Sequence, residues 1–312
     1  DWIKTLLTLK AGWTYSDYAQ SWLHGAKMLV RSGVTSVADM EAVPELLPDV
    51  WGATPLRVFS FLEMTGVKRR RPASEILQEA VQTIDGLPAS RGSPGLSPHA
   101  PYSTSPELLR LAGDLARQRD WRLAVHVAES VEECEMFLRR RGPLFDWLKS
   151  QRNMSDCGRG SPVRHLERNG ILGENVMAVH VNYLADGDAD LLARHRVQVV
   201  HCPRSHFYFQ HAPFPFHDLS AAGVNVALGT DSLASVQANR RQKPELDMFA
   251  EMRAFQASFP GVSPKSILQM ATVNAARALG WPGRIGEISV GAFADVIGLP
   301  FTGSSQEVWE AV

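Results

Sequence analysis

Several short hydrophobic runs in this chain end in a side chain that can bind a metal ion or move a proton. Arg122-Leu123-Ala124-Val125 leads into His126-Val127-Ala128-Glu129, Val176-Met177-Ala178-Val179 into His180, and Val197-Gln198-Val199-Val200 into His201. Val224–Leu228 passes through Gly229-Thr230 to Asp231, while Glu63 and His99 close two earlier runs. A hydrolytic zinc-type centre needs about three protein ligands and one open position for water. Imidazole and carboxylate suit such an ion. His126 and Asp231 are the two best ligand candidates, because each ends a strand-like run. Glu129, where the chain turns off its run, could take a proton from an activated water, whose pKa a metal lowers toward about 7. His180 could stabilise or deprotonate the attacking oxygen, and His99 and Glu63 would face the substrate. A single His or Asp in such a place is most often a turn residue. Repetition at run after run is what points to chemistry.

The runs must be strands if their ends are to share one rim. Gly33–Asp39, Leu56–Glu63, Pro94–His99 and the four runs above make seven, alternating with helical text. That alternation is the α/β signature, and buried strands with polar ends predict a parallel barrel with its chemistry at the carboxyl-terminal rim. Residues 1–32 read as helical, with Gly33 as the stop. Ser105-Pro106 opens a helix to about Arg119, and Ser130-Val131-Glu132-Glu133 reads as a capping box directly after Glu129. Residues 139–170 read as an insertion on the rim, Ser263–Leu279 as a last helix, and Gly286–Leu299 as a β-hairpin from another layer. The expected division is a barrel over 1–280 and a C-terminal segment over 281–312. A barrel needs eight strands, and the missing first strand is expected upstream of residue 1.

Composition narrows the function. The chain has 312 residues, 45% hydrophobic and 21% charged, with a formal net charge of −1. It is long enough for one α/β barrel of about 250 residues. It carries no electrostatic footprint for nucleic acid or an acidic membrane. No apolar run approaches the roughly 20 residues of a membrane helix. Cys134, Cys157 and Cys202 form no CxxC pair, so a reducing cytoplasm is expected. Cys202 reads as an inert buried thiol. His24, His165 and His195 read as surface residues. His206, His211 and His217 share one loop and read as pocket wall, and the aromatic residues around them as core or lid packing. No GxGxxG, GxxxxGK[ST] or GxSxG pattern occurs.

Taken together, Ser97-Pro98-His99-Ala100-Pro101-Tyr102-Ser103, His126-Val127-Ala128-Glu129, Val179-His180, His201-Cys202-Pro203-Arg204-Ser205 and Leu228-Gly229-Thr230-Asp231-Ser232 resemble the amidohydrolase superfamily. The match is to its branch of aminohydrolases and chlorohydrolases acting on nitrogen heterocycles. The resemblance runs from about residue 16 to residue 299. It implies a (β/α)8 barrel of the TIM type, here without its first strand, and a remnant of a small β-sandwich in Gly286–Leu299. It implies one divalent metal ion, Zn or else Fe, with His126 and Asp231 as ligands and Glu129 as proton shuttle. It sets His180 beside the attacking oxygen, gives Asp231 a catalytic part as well, and has His99 contact the substrate. Glu63, Ser205 and His206 would join His99 around that substrate. The lack of a Lys in the run 94–99 favours one metal over two. Two departures stand out: no His-x-His pair occurs, and the Ser of His-Cys-Pro-Arg-Ser is followed by His206 where the family usually has Asn.

The expected activity is metal-dependent hydrolytic deamination of a purine-like heterocycle. A chlorinated triazine or a cyclic amide on the same site is an alternative, and a degenerate barrel that binds a ligand without turnover is another. The expected partner is a small-molecule substrate, with no nucleic acid and no membrane, and a homodimer is admitted.

Overall fold

A computed structural model of the chain describes residues 2–67, 71–238 and 243–304. Seven strands form one parallel sheet: β1 (Ser36–Glu41), β2 (Arg57–Met64), β3 (Gly95–Pro98), β4 (Leu123–Val127), β5 (Val176–His180), β6 (Gln198–His201) and β7 (Asn225–Leu228). Their order in the sheet is the order in sequence. Every pair is parallel, with registers such as Ser36↔Arg57 and Val127↔His180. All seven expected strands are present, and a helix or helical turn intervenes wherever the chain crosses back, as parallel pairing requires.

The sheet curls. Phe59 and Phe61 of β2, Ala124 of β4, Met177 of β5 and Ala227 of β7 belong to one buried cluster, with Ala38 of β1 packed against it. The inner faces of strands far apart in the sheet therefore converge, as in a TIM-type barrel. The other face of β2 to β7, through residues such as Leu62, Leu96, Leu123, Val125, Val176, Ala178, Val199 and Val226, packs under the helices in a second, larger cluster. A strand buried on both faces must be apolar throughout, which is why these runs do not alternate with polar residues. Among the described residues, β1 and β7 each have one strand neighbour.

The pleat decides which rim residues look inward. On β2 the inner-face sequence Phe59, Phe61 continues to Glu63 by the period of two. On β4, Ala124 continues to His126. On β6, Val200 is inward, so His201 points outward into the helical layer, where its ring stacks on Phe214 at 3.7 Å.

Helix boundaries follow capping chemistry. Ser105, Ser130, Ser161 and Ser263 each accept a hydrogen bond from the backbone N–H three residues on. Four sequence expectations need correction. The helix over 1–32 is two, Trp2–Lys10 and Tyr15–Arg31, because Thr14 and Asp17 form a reciprocal capping box that starts a second helix. The last helix breaks at Thr272 into Pro264–Ala271 and Val273–Ala278. Residues 139–170 hold two short helices, Pro143–Leu148 and Pro162–Arg168. His165 is buried there, its ring 4.7 Å from Phe137, and is not a surface residue.

The hairpin expected over 286–299 is absent. The segment holds turns and extended chain without strand pairing, and Ile288, Val290 and Val296 face solvent. Among the described residues no strand lies beside it to receive those side chains, so the alternating pattern has nothing to pair with. The segment is held instead by Phe293, stacked on Trp281, and by Arg57, whose guanidinium lies 3.7 Å from the Phe293 ring centre and pairs with Asp295 at 2.6 Å.

Candidate active site

The residues that follow β4, β5 and β7 leave their strands through left-handed backbone. Ala128 has φ of 51°, His180 77°, Val181 50° and Asp231 53°. A non-glycine residue is seldom found there, least of all a β-branched valine. These turns aim the rim residues. By parity with Met177 and Val179, His180 would face the helices. The left-handed turn swings it inward, and its ring lies 5.5 Å from that of His126, nearly parallel. The His99 ring lies 5.0 Å from that of His126.

His126 is oriented by its neighbour. Its Nδ1 lies 3.0 Å from the carbonyl oxygen of His99. A carbonyl only accepts, so Nδ1 carries the proton and Nε2 presents a bare lone pair, the arrangement found on metal-binding imidazoles. His99 is itself set by Ser103, 2.6 Å from Nδ1. Burial first, then the nearness of His126 and His180, pushes the His99 imidazole down to about 3, so it is neutral at pH 7.

Asp231 is fixed from three directions. Ser205 donates to Oδ2 at 2.5 Å, Ser235 to the same oxygen at 3.2 Å, and the Ser232 N–H to Oδ1 at 2.6 Å. Burial alone would raise its carboxyl, but His180, the Ser205 hydroxyl and His126 outweigh it and hold the group below the usual range. Asp231 is thus ionised, in electrostatic reach of both histidines.

Glu129 Oε1 stands 3.7 Å from His180 Nε2, and its side chain is 28% exposed where that of His180 is 6%. The carboxylate therefore reaches from the wall toward open space, as a proton carrier must. Glu63 is raised by burial and lowered in turn by His126 and Lys10, which puts it within reach of the same centre. Two sequence candidates sit otherwise. Ser205 is buried with its hydroxyl spent on Asp231. The His206 Nδ1 lies 3.1 Å from Asn182 Oδ1. Sequence reasoning missed three supports: Ser103, Asn182 and Glu133, the last accepting from the Glu129 N–H at 2.9 Å. Glu133 stood in view as part of a capping box, while Asn182 carried no pattern that could have marked it.

The donor set can be tested against an ion. His126 with a free Nε2 and Asp231 held as a carboxylate have the right chemistry for a divalent metal. They make two ligands. Among the described residues no group of three or more His, Cys, Asp or Glu side chains gathers as a metal cage.

The profile of the Amidohydrolase family matches residues 13–310. The chain belongs to that family. A 5-methylthioadenosine/S-adenosylhomocysteine deaminase from Syntrophobacter fumaroxidans is 38% identical over 207 residues, which is 66% of this chain and 43% of that protein. A 5'-deoxyadenosine deaminase from Methanoregula boonei is 30% identical across 95% of this chain and 64% of its own length. Among solved structures, an adenosine deaminase from Xanthomonas campestris with bound zinc superposes with a TM-score of 0.78 at 25% identity, covering 94% of this chain and 64% of that one. The chain thus spans under two thirds of the length of each of these three proteins.

Proposed function

We propose that this amidohydrolase chain carries the proton-transfer and part of the metal-binding machinery of a hydrolase that deaminates a purine-like nucleoside. The observation that carries the reading is the meeting of four groups from three strand ends: His126 with its Nε2 free, His180 against it, Asp231 held ionised, and Glu129 reaching past His180. The similarity to deaminases of adenosine derivatives supports the substrate class, and the zinc in the adenosine deaminase of similar fold supports zinc as the metal.

His126 and Asp231 would hold the ion together with further ligands, since two side chains do not complete a zinc shell. When bound, the ion supplies Lewis acidity and lowers the pKa of a coordinated water toward about 7. The protein's own residues do the rest. Water adds its oxygen to the ring carbon that bears the amino group, and the carbon–nitrogen bond breaks. Glu129 accepts one proton from that water and passes it to the substrate. One of the two water protons ends on the ring nitrogen and the other on the amine, which departs as ammonia. His180 steadies the oxygen as charge builds on it. His99, neutral at pH 7, and Glu63 offer hydrogen bonds to the heterocycle. Three free thiols fit a reducing compartment such as the cytoplasm.

A binding barrel without turnover is the rival reading, favoured by the two-ligand count among the described residues. Purified protein, supplied with zinc and assayed for ammonia release from 5'-deoxyadenosine and 5-methylthioadenosine, separates the two. Glu129→Gln should retain the metal and lose at least about 10²-fold in kcat, the usual contribution of a general acid–base. Full activity in that variant would remove Glu129 from the reaction.

A further inference from the structure

Glu129 hangs from a backbone unit that is gripped on both faces. Ser130 starts the helix Val131–Arg139 and accepts from the Glu133 N–H at 3.2 Å. In an ordinary capping box the carboxylate three residues on returns to the N–H of the capping residue itself. Here Glu133 reaches further back: its Oε2 accepts from the Glu129 N–H at 2.9 Å. The turn it grips contains Ala128 in the left-handed region, a conformation that persists only when its surroundings enforce it. Glu133 is fully buried and its Oε1 has no hydrogen-bond partner. A buried carboxyl with an unmatched oxygen is costly, and helix capping alone does not require it, because Ser130 already satisfies the helix.

The carbonyl side is held from the next strand. Asn182 is buried, and its Nδ2 donates to the Glu129 carbonyl at 3.0 Å. It comes directly after the two left-handed residues His180 and Val181. The backbone continues the tie, with Val181 N–H on the Val127 carbonyl at 3.0 Å and Tyr183 N–H on the Ala128 carbonyl at 3.1 Å. Asn182 Oδ1 faces His206 Nδ1 at 3.1 Å. An amide oxygen can only accept, so His206 donates there.

We propose that Glu133 and Asn182 are positioning residues that clamp the N–H and the C=O of Glu129, with His206 acting through Asn182 and not on the substrate. This rests on Glu129 being the proton carrier of the reaction. The clamp gives each of the three side chains one geometric task. Glu133 fixes where the Glu129 Cα sits, Asn182 fixes the tilt of its peptide, and His206 fixes which way the Asn182 amide is turned.

The test compares four variants of the metal-loaded protein by steady-state ammonia release and by hydrogen exchange of the peptide spanning 128–133. Glu133→Leu and Asn182→Leu remove the acceptor and the donor. Each should lower kcat about 10²-fold, the effect of a displacement near 1 Å, with KM within about threefold. Glu133→Gln keeps an acceptor for the Glu129 N–H and should restore kcat to within about threefold of the parent. His206→Ala, milder than either Leu change, should lower kcat about tenfold at unchanged KM. Exchange at 128–133 should rise in the Glu133→Leu protein and stay protected in the Gln one. A Gln variant as impaired as the Leu variant overturns the clamp, as does a His206→Ala protein whose KM rises while kcat holds. If a Leu variant does not fold, the Gln and His206→Ala proteins decide by the same criteria. If the parent releases no ammonia, the deaminase reading has failed on its own, and unchanged exchange in Glu133→Leu would then overturn the clamp separately.

Discussion

Glu251 offers a sharp test of how this fold handles buried charge. Its side chain is wholly inaccessible, on the helix Met248–Ser258, with Met252 and Phe255 buried beside it. Its Oε2 accepts from the Arg204 N–H at 2.9 Å, while its Oε1 has no hydrogen-bond partner and lies 3.7 Å from the Arg204 guanidinium. Burial raises its carboxyl from 4.5 to about 8, against the opposing pull of the Arg204 N–H and charge. In the unfolded chain the proton leaves near 4.5, whereas the folded chain keeps it until about 8. The folded state therefore binds more protons across that window, and stability falls as pH rises through it. At about 1.4 kcal/mol per pH unit the ceiling is about 5 kcal/mol, and relaxation with water entry trims such penalties, leaving an expected 2–3 kcal/mol. Glu251→Gln removes the titration while keeping the acceptor for Arg204. Near pH 5 the variant and the parent should be equally stable within about 0.5 kcal/mol. By pH 8.5 the variant should be ahead by that 2–3 kcal/mol, or several degrees in Tm. Urea denaturation at pH 5, 6, 7 and 8.5 measures the gap directly. A gap that stays flat over that range would refute the reasoning, because it would mean that the carboxyl ionises in the folded protein about where it does in the unfolded one.

Two further outcomes follow from the geometry. Ser205→Ala removes the 2.5 Å bond to Asp231 Oδ2 and should weaken zinc binding about tenfold or more, as loss of a group that orients a ligand does; competition with a chromogenic chelator reads this, and unchanged affinity would take Asp231 out of the ligand set. Gly286 has φ of 80°, and a Cβ there would stand 2.7 Å from the Thr272 carbonyl oxygen. Gly286→Ala should therefore cost at least about 1 kcal/mol from conformation alone, seen as a lower urea midpoint with the same slope.

The strands were legible because a parallel sheet covered on both sides leaves little room for polar residues, so each run announced itself. The inward direction of Glu63, His99 and His126 followed from the same logic, since parity along a regular strand is mechanical. Parity failed where the backbone stopped being regular. Nothing in Val179-His180-Val181 signals that two successive residues, one of them β-branched, take positive φ, and that turn alone brings His180 to His126. His201 shows the converse: it keeps its strand's parity and so stacks outward on Phe214. His165 read as a surface residue because its helical text is polar, yet that helix packs its histidine against Phe137 and the buried Arg152–Asp156 pair. The hairpin over 286–299 failed for a different reason: alternation records what a segment could pair with, and among the described residues no strand stands beside it.

The left-handed residues Ala128, His180, Val181 and Asp231 all lie at the carboxyl ends of β4, β5 and β7, and each costs on the order of 1 kcal/mol. Strain of that size cannot persist in a loop free to relax. It survives here because buried polar groups hold these loops, Glu133 and Asn182 on the peptide of Glu129 and Ser205 on Asp231, while Glu251 holds the neighbouring turn after β6. Two of these four are carboxyls raised to about 8 by burial, which is itself a destabilising arrangement at neutral pH. A chain selected for stability alone would replace them with apolar side chains and relax the turns. Retaining both the strain and the buried acids makes sense only if the rim must present particular side chains in fixed directions, which is the requirement of proton transfer at a preorganised centre.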